Sequence, residues 1–178
     1  MYDFVASGIG WFHLTTALLA MVAGAFVLTT KKGTKQHKRV GYVYVLSMLL
    51  VCGSSMGIYR LTGAFGIFHF TAIVGFLTLA GGMIPMFMRN IERKYKAVHI
   101  WFMYYSVLGL YAAFASELFV RIPDQPFYTM VGIATGSIFI TGTLFILKKE
   151  KVWTKFFISQ HHQHGHESKL HSDTTSAR

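Results

Sequence analysis

Four histidines stand where histidine is uncommon. His13, His37, His69 and His99 each lie near the N-terminal end of a long apolar run in a chain of 178 residues. Ionisable groups are costly at membrane depth and are kept there chiefly to bind or conduct something. Neutral imidazole is the commonest protein ligand for transition metals, and two facing imidazoles complete six-coordinate haem iron, the porphyrin supplying the other four donors. One further titratable pair stands in an apolar run. Residues 97–121 carry His99 near one end and Glu117 with Arg121, four residues on, near the other.

Helix geometry sorts the histidines into two tiers. At about 1.5 Å per residue, His13 lies roughly 27 Å of helix from the basic residue Lys31, and His69 roughly 30 Å from Arg89. His99 is likewise roughly 33 Å from Arg121, and His37 roughly 35 Å from Arg60. His13 and His69 therefore belong to one membrane face, His37 and His99 to the other. In an antiparallel four-helix bundle each tier comes from two diagonally opposed helices, with one imidazole on either side of the interior. Haem b, two per chain, fits that pattern. Zinc or copper is the alternative, since Glu117 could join His13 and His69 as a two-histidine, one-carboxylate set. Glu117 could equally be paired with Arg121 at i+4. Arg60, Arg121, Lys38 and Arg39 are candidate partners for haem propionates. His37, in a basic segment, could also be no more than a juxtamembrane residue.

The elements that must position these groups follow from composition. With 53% hydrophobic and 13% charged residues and a mean hydropathy of +0.44, the chain reads as an all-α polytopic membrane bundle, four core helices plus a fifth. Expected spans are residues 6–30, 40–58, 67–88, 97–120 and 128–147, within a membrane domain of residues 1–157. The formal net charge of +10 comes from clusters between the runs, KKGTKQHKR, RNIERKYK and KKEKVWTK. That distribution reports membrane orientation and argues against nucleic acid. All three clusters fall on one side, which places the N-terminus outside and the C-terminus inside a bacterial cell membrane. The first run has no basic residue before it, so it is expected to be retained as a span. The single cysteine, Cys52, allows no intrachain disulfide and no thiolate pair.

Other features are read more simply. Pro85 predicts a loosened turn near the end of the third span. Gly132 and Gly136 form a G-x-x-x-G pair that suits close helix packing, within the chain or in a homodimer. Trp11, Tyr42, Tyr44, Tyr104 and Tyr105 are expected in an interfacial aromatic belt, and Met48 and Met103 among packing residues. Residues 158–178 hold His161, His162, His164 and His166 in a polar stretch expected to be a disordered cytoplasmic tail able to chelate a metal ion. No phosphate-binding loop, dinucleotide fingerprint or hydrolase signature is present.

The runs HLTTALLAMVAGAFVLTTKKGTKQHKRVGYVYVLSMLL, YRLTGAFGIFHFTAIVGFLTLAGG and HIWFMYYSVLGLYAAFASE resemble an uncharacterised family of predicted bacterial membrane proteins. More distantly, the pattern is similar to the four-helix core of the ascorbate-reducible dihaem b-type cytochromes. In that comparison His13 precedes the first loop, His37 follows a basic loop and precedes a glycine, His69 heads the third core helix, and His99 is the H-I-x-F histidine. The resemblance implies two haems bound through these four residues, and transmembrane electron transfer from a quinone or other small-molecule donor. The chain departs from it in having five expected spans instead of six, a shorter first loop and no ascorbate-site signature.

Overall fold

A computed structural model describes residues 8–58, 65–87, 93–122, 124 and 126–148, with the backbone alone at 93–95. The helices are α1 (Gly8–Thr29), α2 (Lys35–Ser55), α3 (Ile67–Phe87), α4 (Arg93–Phe119) and α5 (Phe127–Lys148). Among the described residues there is no strand, and the all-α expectation holds. Arg60 and the tail histidines His161, His162, His164 and His166 lie outside the described residues.

Four of the helices, α1, α3, α5 and the Lys96–Phe119 part of α4, are long and apolar enough to cross a bilayer. Helix α2 differs because it begins earlier than its apolar run. Thr34 takes an extended conformation and its hydroxyl accepts the His37 backbone N–H at 3.1 Å, which starts the helix inside KQHKR. The basic residues expected in a loop therefore form the first turns of α2. Its apolar residues 40–55 cover about 24 Å.

Neighbours in sequence are neighbours in space. Helix α1 packs mainly on α2 and α3 mainly on α4, with lesser contacts of α2 on α3 and α1 on α4, while the backbones of α1 and α3, and of α2 and α4, do not come close along the described residues. That closes a ring with α1 diagonal to α3 and α2 diagonal to α4, the arrangement expected from short connections. The head of α1 meets the tail of α2, where His13 bonds Ser54. The head of α4 meets the tail of α3, where His99 bonds Gly82.

Small residues allow the close approaches. On α1, Ala17, Ala20, Ala23 and Gly24 are buried, and a Cβ added at Gly24 would lie 3.1 Å from the Tyr44 ring and 3.2 Å from Val107. On α3, a Cβ at Gly81 would stand 2.6 Å from the Phe102 ring and one at Gly82 2.8 Å from Met103 Sδ. Backbone contact of this kind drives helix association where lipid removes the hydrophobic gain. The middle of the bundle is filled by Tyr44, Met48, Val51, Cys52, Leu79, Met103, Val107 and Leu110.

The polarity of the fold is inverted relative to a water-soluble bundle. Thr16, Ser47, Ser54, His69, Ser106 and Ser116 are buried, while Trp11, Val22, Leu46, Phe70, Leu77 and Ile84 are more than half exposed. An apolar surface of this extent is stable only against lipid. The chain divides into compact units of residues 1–138 and 139–178. Within the first, α5 buries Val131 and Ala134, and Thr135 meets Ser116 at 3.2 Å. In the second, the described residues 139–148 are helical.

Candidate cofactor site: two tiers of histidine

The ring of helices sets two of the four histidines at each end of the core. His37 and His99 head α2 and α4, on one diagonal and at one end; His13 and His69 head α1 and α3, on the other diagonal and at the opposite end. From His37 to Ser54, the α2 residue at the His13 level, is about 25 Å of helix. His37 and His99 are near enough to act on each other electrostatically, as Glu117 does on His13.

What each imidazole can do depends on which nitrogen carries the proton. His99 Nδ1 lies 2.8 Å from the Gly82 carbonyl oxygen, so that nitrogen donates and Nε2 keeps the lone pair. The partner follows from sequence, since Gly81 and Gly82 let α4 approach and Pro85 loosens the same turn of α3. His13 Nδ1 lies 2.9 Å from Ser54 Oγ. The single Ser54 hydroxyl proton is directed to the Leu50 carbonyl at 2.7 Å, so Oγ accepts from His13 and Nε2 again keeps the lone pair.

His37 and His69 occupy the same helical position and behave oppositely. Both are the third residue of their helix, the place from which a side chain can reach back to cap the N-terminus. His69 does so. The Gly66 backbone N–H donates to its Nδ1 at 3.1 Å, the Gly66 carbonyl accepts the His69 N–H at 3.1 Å, and Phe65 stacks on the ring at 5.0 Å. Its Nδ1 lone pair is thus engaged and the ring proton sits on Nε2. Reversing that tautomer would leave a helix-terminal donor without its acceptor, at a cost of about 1–3 kcal/mol.

At His37 the helix start is capped by Thr34, and the imidazole is left for other contacts. Its Nδ1 is buried with no hydrogen-bond partner among the described residues, and the Val27 carbonyl is near enough to act on the ring electrostatically. His37 precedes the apolar run of α2. Burial, and then the charges of Lys32 and His99, hold it below the usual value of 6.5, against the opposing pull of Val27. The ring is neutral near pH 7, as a ligand must be. Lys32 is held close by, its Nζ donating to the carbonyls of Val27 at 2.7 Å and Leu28 at 2.9 Å.

Two turns below this tier, on the same helix faces, a second polar contact crosses the diagonal. Tyr44 Oη and Ser106 Oγ are 2.8 Å apart, at residues 0% and 2% exposed. Tyr44 is i+7 from His37 and Ser106 i+7 from His99, a spacing that returns to nearly the same face. The strut therefore fixes the gap between α2 and α4 just below the two imidazoles. Tyr44 is no belt residue: small side chains on α1 make room for its ring in the core. Tyr42 and Trp11, by contrast, face outward at 59% and 58% exposure.

Lys38, Arg39 and Arg121 are exposed, Lys38 and Arg39 at the His37 end and Arg121 just past the end of α4. Among the described residues no three His, Cys, Asp and Glu side chains form a group that could hold a metal ion, so His13, His69 and Glu117 share an end of the bundle without making a three-ligand set. No curated protein and no solved structure matches the chain. Residues 10–147 match one family model, described as a predicted membrane protein. The match takes in all four histidines and every helix of the ring, and the chain belongs to that family of predicted membrane proteins, DUF2306, a domain of unknown function.

Proposed function

We propose that this multi-pass membrane protein carries haem b at both ends of its four-helix core and transfers electrons across the bilayer, as a transmembrane oxidoreductase or electron carrier. The observation that carries the reading is the inner pair, His37 and His99. They come from diagonally opposed helices, His99 Nδ1 is turned to the Gly82 carbonyl, His37 Nδ1 is buried with no hydrogen-bond partner among the described residues, and the Tyr44–Ser106 contact sets the gap beneath them. Residues of this kind fit an iron that needs two axial nitrogens and no carboxylate. His13 fits equally at the outer tier through its Ser54 bond, whereas His69 in its capping tautomer does not. When bound, haem supplies the redox chemistry and the chain supplies orientation and surroundings. Lys38 and Arg39 supply cations for inner propionates, and Arg60 and Arg121 for outer ones. A quinone or another small donor is the reaction partner that suits a site at the membrane surface. Gly132 and Gly136, with nothing within 4 Å of an added Cβ, offer a seam for a second copy.

The purified protein decides the central point. A Soret band with two haems per chain is expected by pyridine haemochrome assay; a colourless preparation with stoichiometric zinc or copper would replace this reading with a metal-site one. Orientation has its own test. With the basic end cytoplasmic, Asp124→Cys should react with a membrane-impermeant maleimide in intact cells and Lys35→Cys only after permeabilisation. The reverse pattern would invert both tiers.

A further inference from the structure

We infer that the outward face of α2 holds an anionic phospholipid, its headgroup at Lys35 and its acyl chains along Tyr42 and Leu46. The inference stands apart from the haem reading, in which Lys35 has no part. Lys35, Tyr42 and Leu46, at i, i+7 and i+11, return to one side of the helix, and all three are exposed. Tyr44 and Met48 occupy the opposite side and fill the core. One helix face thus runs from ammonium through an aromatic ring to aliphatic carbon, the order in which a phospholipid presents phosphate, glycerol ester and acyl chain.

Depth places the ammonium among headgroups. The apolar residues 40–55 of α2 cover about 24 Å, less than a hydrocarbon core of about 30 Å. The first turn of α2 is therefore drawn to the hydrocarbon boundary, where long basic side chains extend their cations toward phosphate. Thr34 ties the turn ahead of it. Its hydroxyl donates to the Lys31 carbonyl at 2.9 Å and accepts the His37 N–H at 3.1 Å, which keeps Lys31 beside the start of α2.

The charge balance of this end requires an anion from outside the chain. Lys38 and Arg39 follow Lys35 at i+3 and i+4, spacings at which like charges repel, and no Asp or Glu occurs between Asp3 and Glu92. The acidic residues among the described ones, Glu117 and Asp124, stand at the far end, in the tail of α4 and just beyond it. Membrane orientation accounts for basic residues between spans. It does not account for Lys31, Lys35, Lys38 and Arg39, all exposed, crowding one helix start in line with a lipid-facing stripe. A lipid phosphate supplies the missing charge, and the apolar stripe that continues from it favours a lipid over an acidic protein.

Native mass spectrometry of the full-length protein, released from detergent containing equal phosphatidylglycerol and phosphatidylcholine, reads the site. Phosphatidylglycerol should be retained in excess, and Lys35→Gln should cut that excess about fivefold, the effect of one cation near an anionic surface. Lys96→Gln removes a basic residue at the same end, on α4, and should leave the excess unchanged. Lys35→Glu puts a carboxylate four residues before Arg39, so it should abolish the preference and raise the melting temperature in phosphatidylcholine. Equal retention of the two lipids by the wild-type protein, or equal losses from Lys35→Gln and Lys96→Gln, would overturn the site and leave these residues to membrane orientation. Displacement of phosphatidylglycerol by millimolar inorganic phosphate would assign the cluster to a free anion and overturn the lipid.

Discussion

His99→Ala and His37→Ala should each remove the same half of the bound haem, and the double variant should lose little more than either single one. The expectation follows from the site being a shared one: a bis-imidazole iron that has lost one axial ligand has lost the arrangement that held it, so the second substitution acts on a site already undone. Combining either variant with His13→Ala should give additive losses, because the tiers are about 25 Å apart along α2 and have no ligand in common. Pyridine haemochrome content per chain, measured on singles and doubles in parallel, reads the result. Equal, independent losses from His37→Ala and His99→Ala would separate the two residues and remove the inner pair from the proposal. Protein yield and helicity should hardly change, since neither side chain caps its own helix and the core between the tiers is filled by Tyr44, Met48, Leu79, Met103, Val107 and Leu110.

How much of this was legible in the sequence depends on the range of the interaction involved. That His37 and His99 fall at one end of the ring and His13 and His69 at the other was readable, because helix length, basic loops and short connections together leave few ways to arrange four spans. The start of α2 was misplaced for a reason the sequence contains: Thr34 before KQHKR is an N-cap signal that outweighs the polarity of the first turn. The capping role of His69 was also present, as its spacing of three from Gly66 ahead of an apolar run, but the usual residue there is Glu or Gln and histidine masks the pattern. Ser54, Gly82 and Ser106 were not legible as partners. Each contact depends on the azimuth of one helix against another, which the glycines at 24, 81 and 82 set through packing distances that no local pattern encodes. Tyr44 shows the same limit, because a tyrosine early in a span reads as an interfacial anchor until Gly24 is seen to leave space for its ring.

Tyr44→Ala should be the most destabilising single change in the core, by about 3–5 kcal/mol, because it empties a fully buried ring volume between α1, α2 and α4. Tyr44→Phe separates the ring from the hydroxyl. Removing the Oη leaves Ser106 without its cross-helix partner, but a serine in a helix can turn its hydroxyl to a carbonyl of the preceding turn. Hydrogen bonds between membrane helices are worth about 0.6 kcal/mol on average, with a maximum near 1.7. Tyr44→Phe should therefore cost about 1 kcal/mol, and Tyr44→Phe with Ser106→Ala little beyond that, with a coupling energy that isolates the bond. Reversible unfolding in mixed micelles measures all four corners of the cycle. The same variants separate the ring from the hydroxyl as the spacer beneath the inner tier. If the aromatic ring holds α2 and α4 apart at the height that suits His37 and His99, Tyr44→Ala should shift the inner haem spectrum and potential while Tyr44→Phe leaves both near native. Equal shifts from the two variants would assign the spacing to the hydrogen bond, and no shift from either would show that the tier is positioned by the α1–α2 and α3–α4 contacts alone.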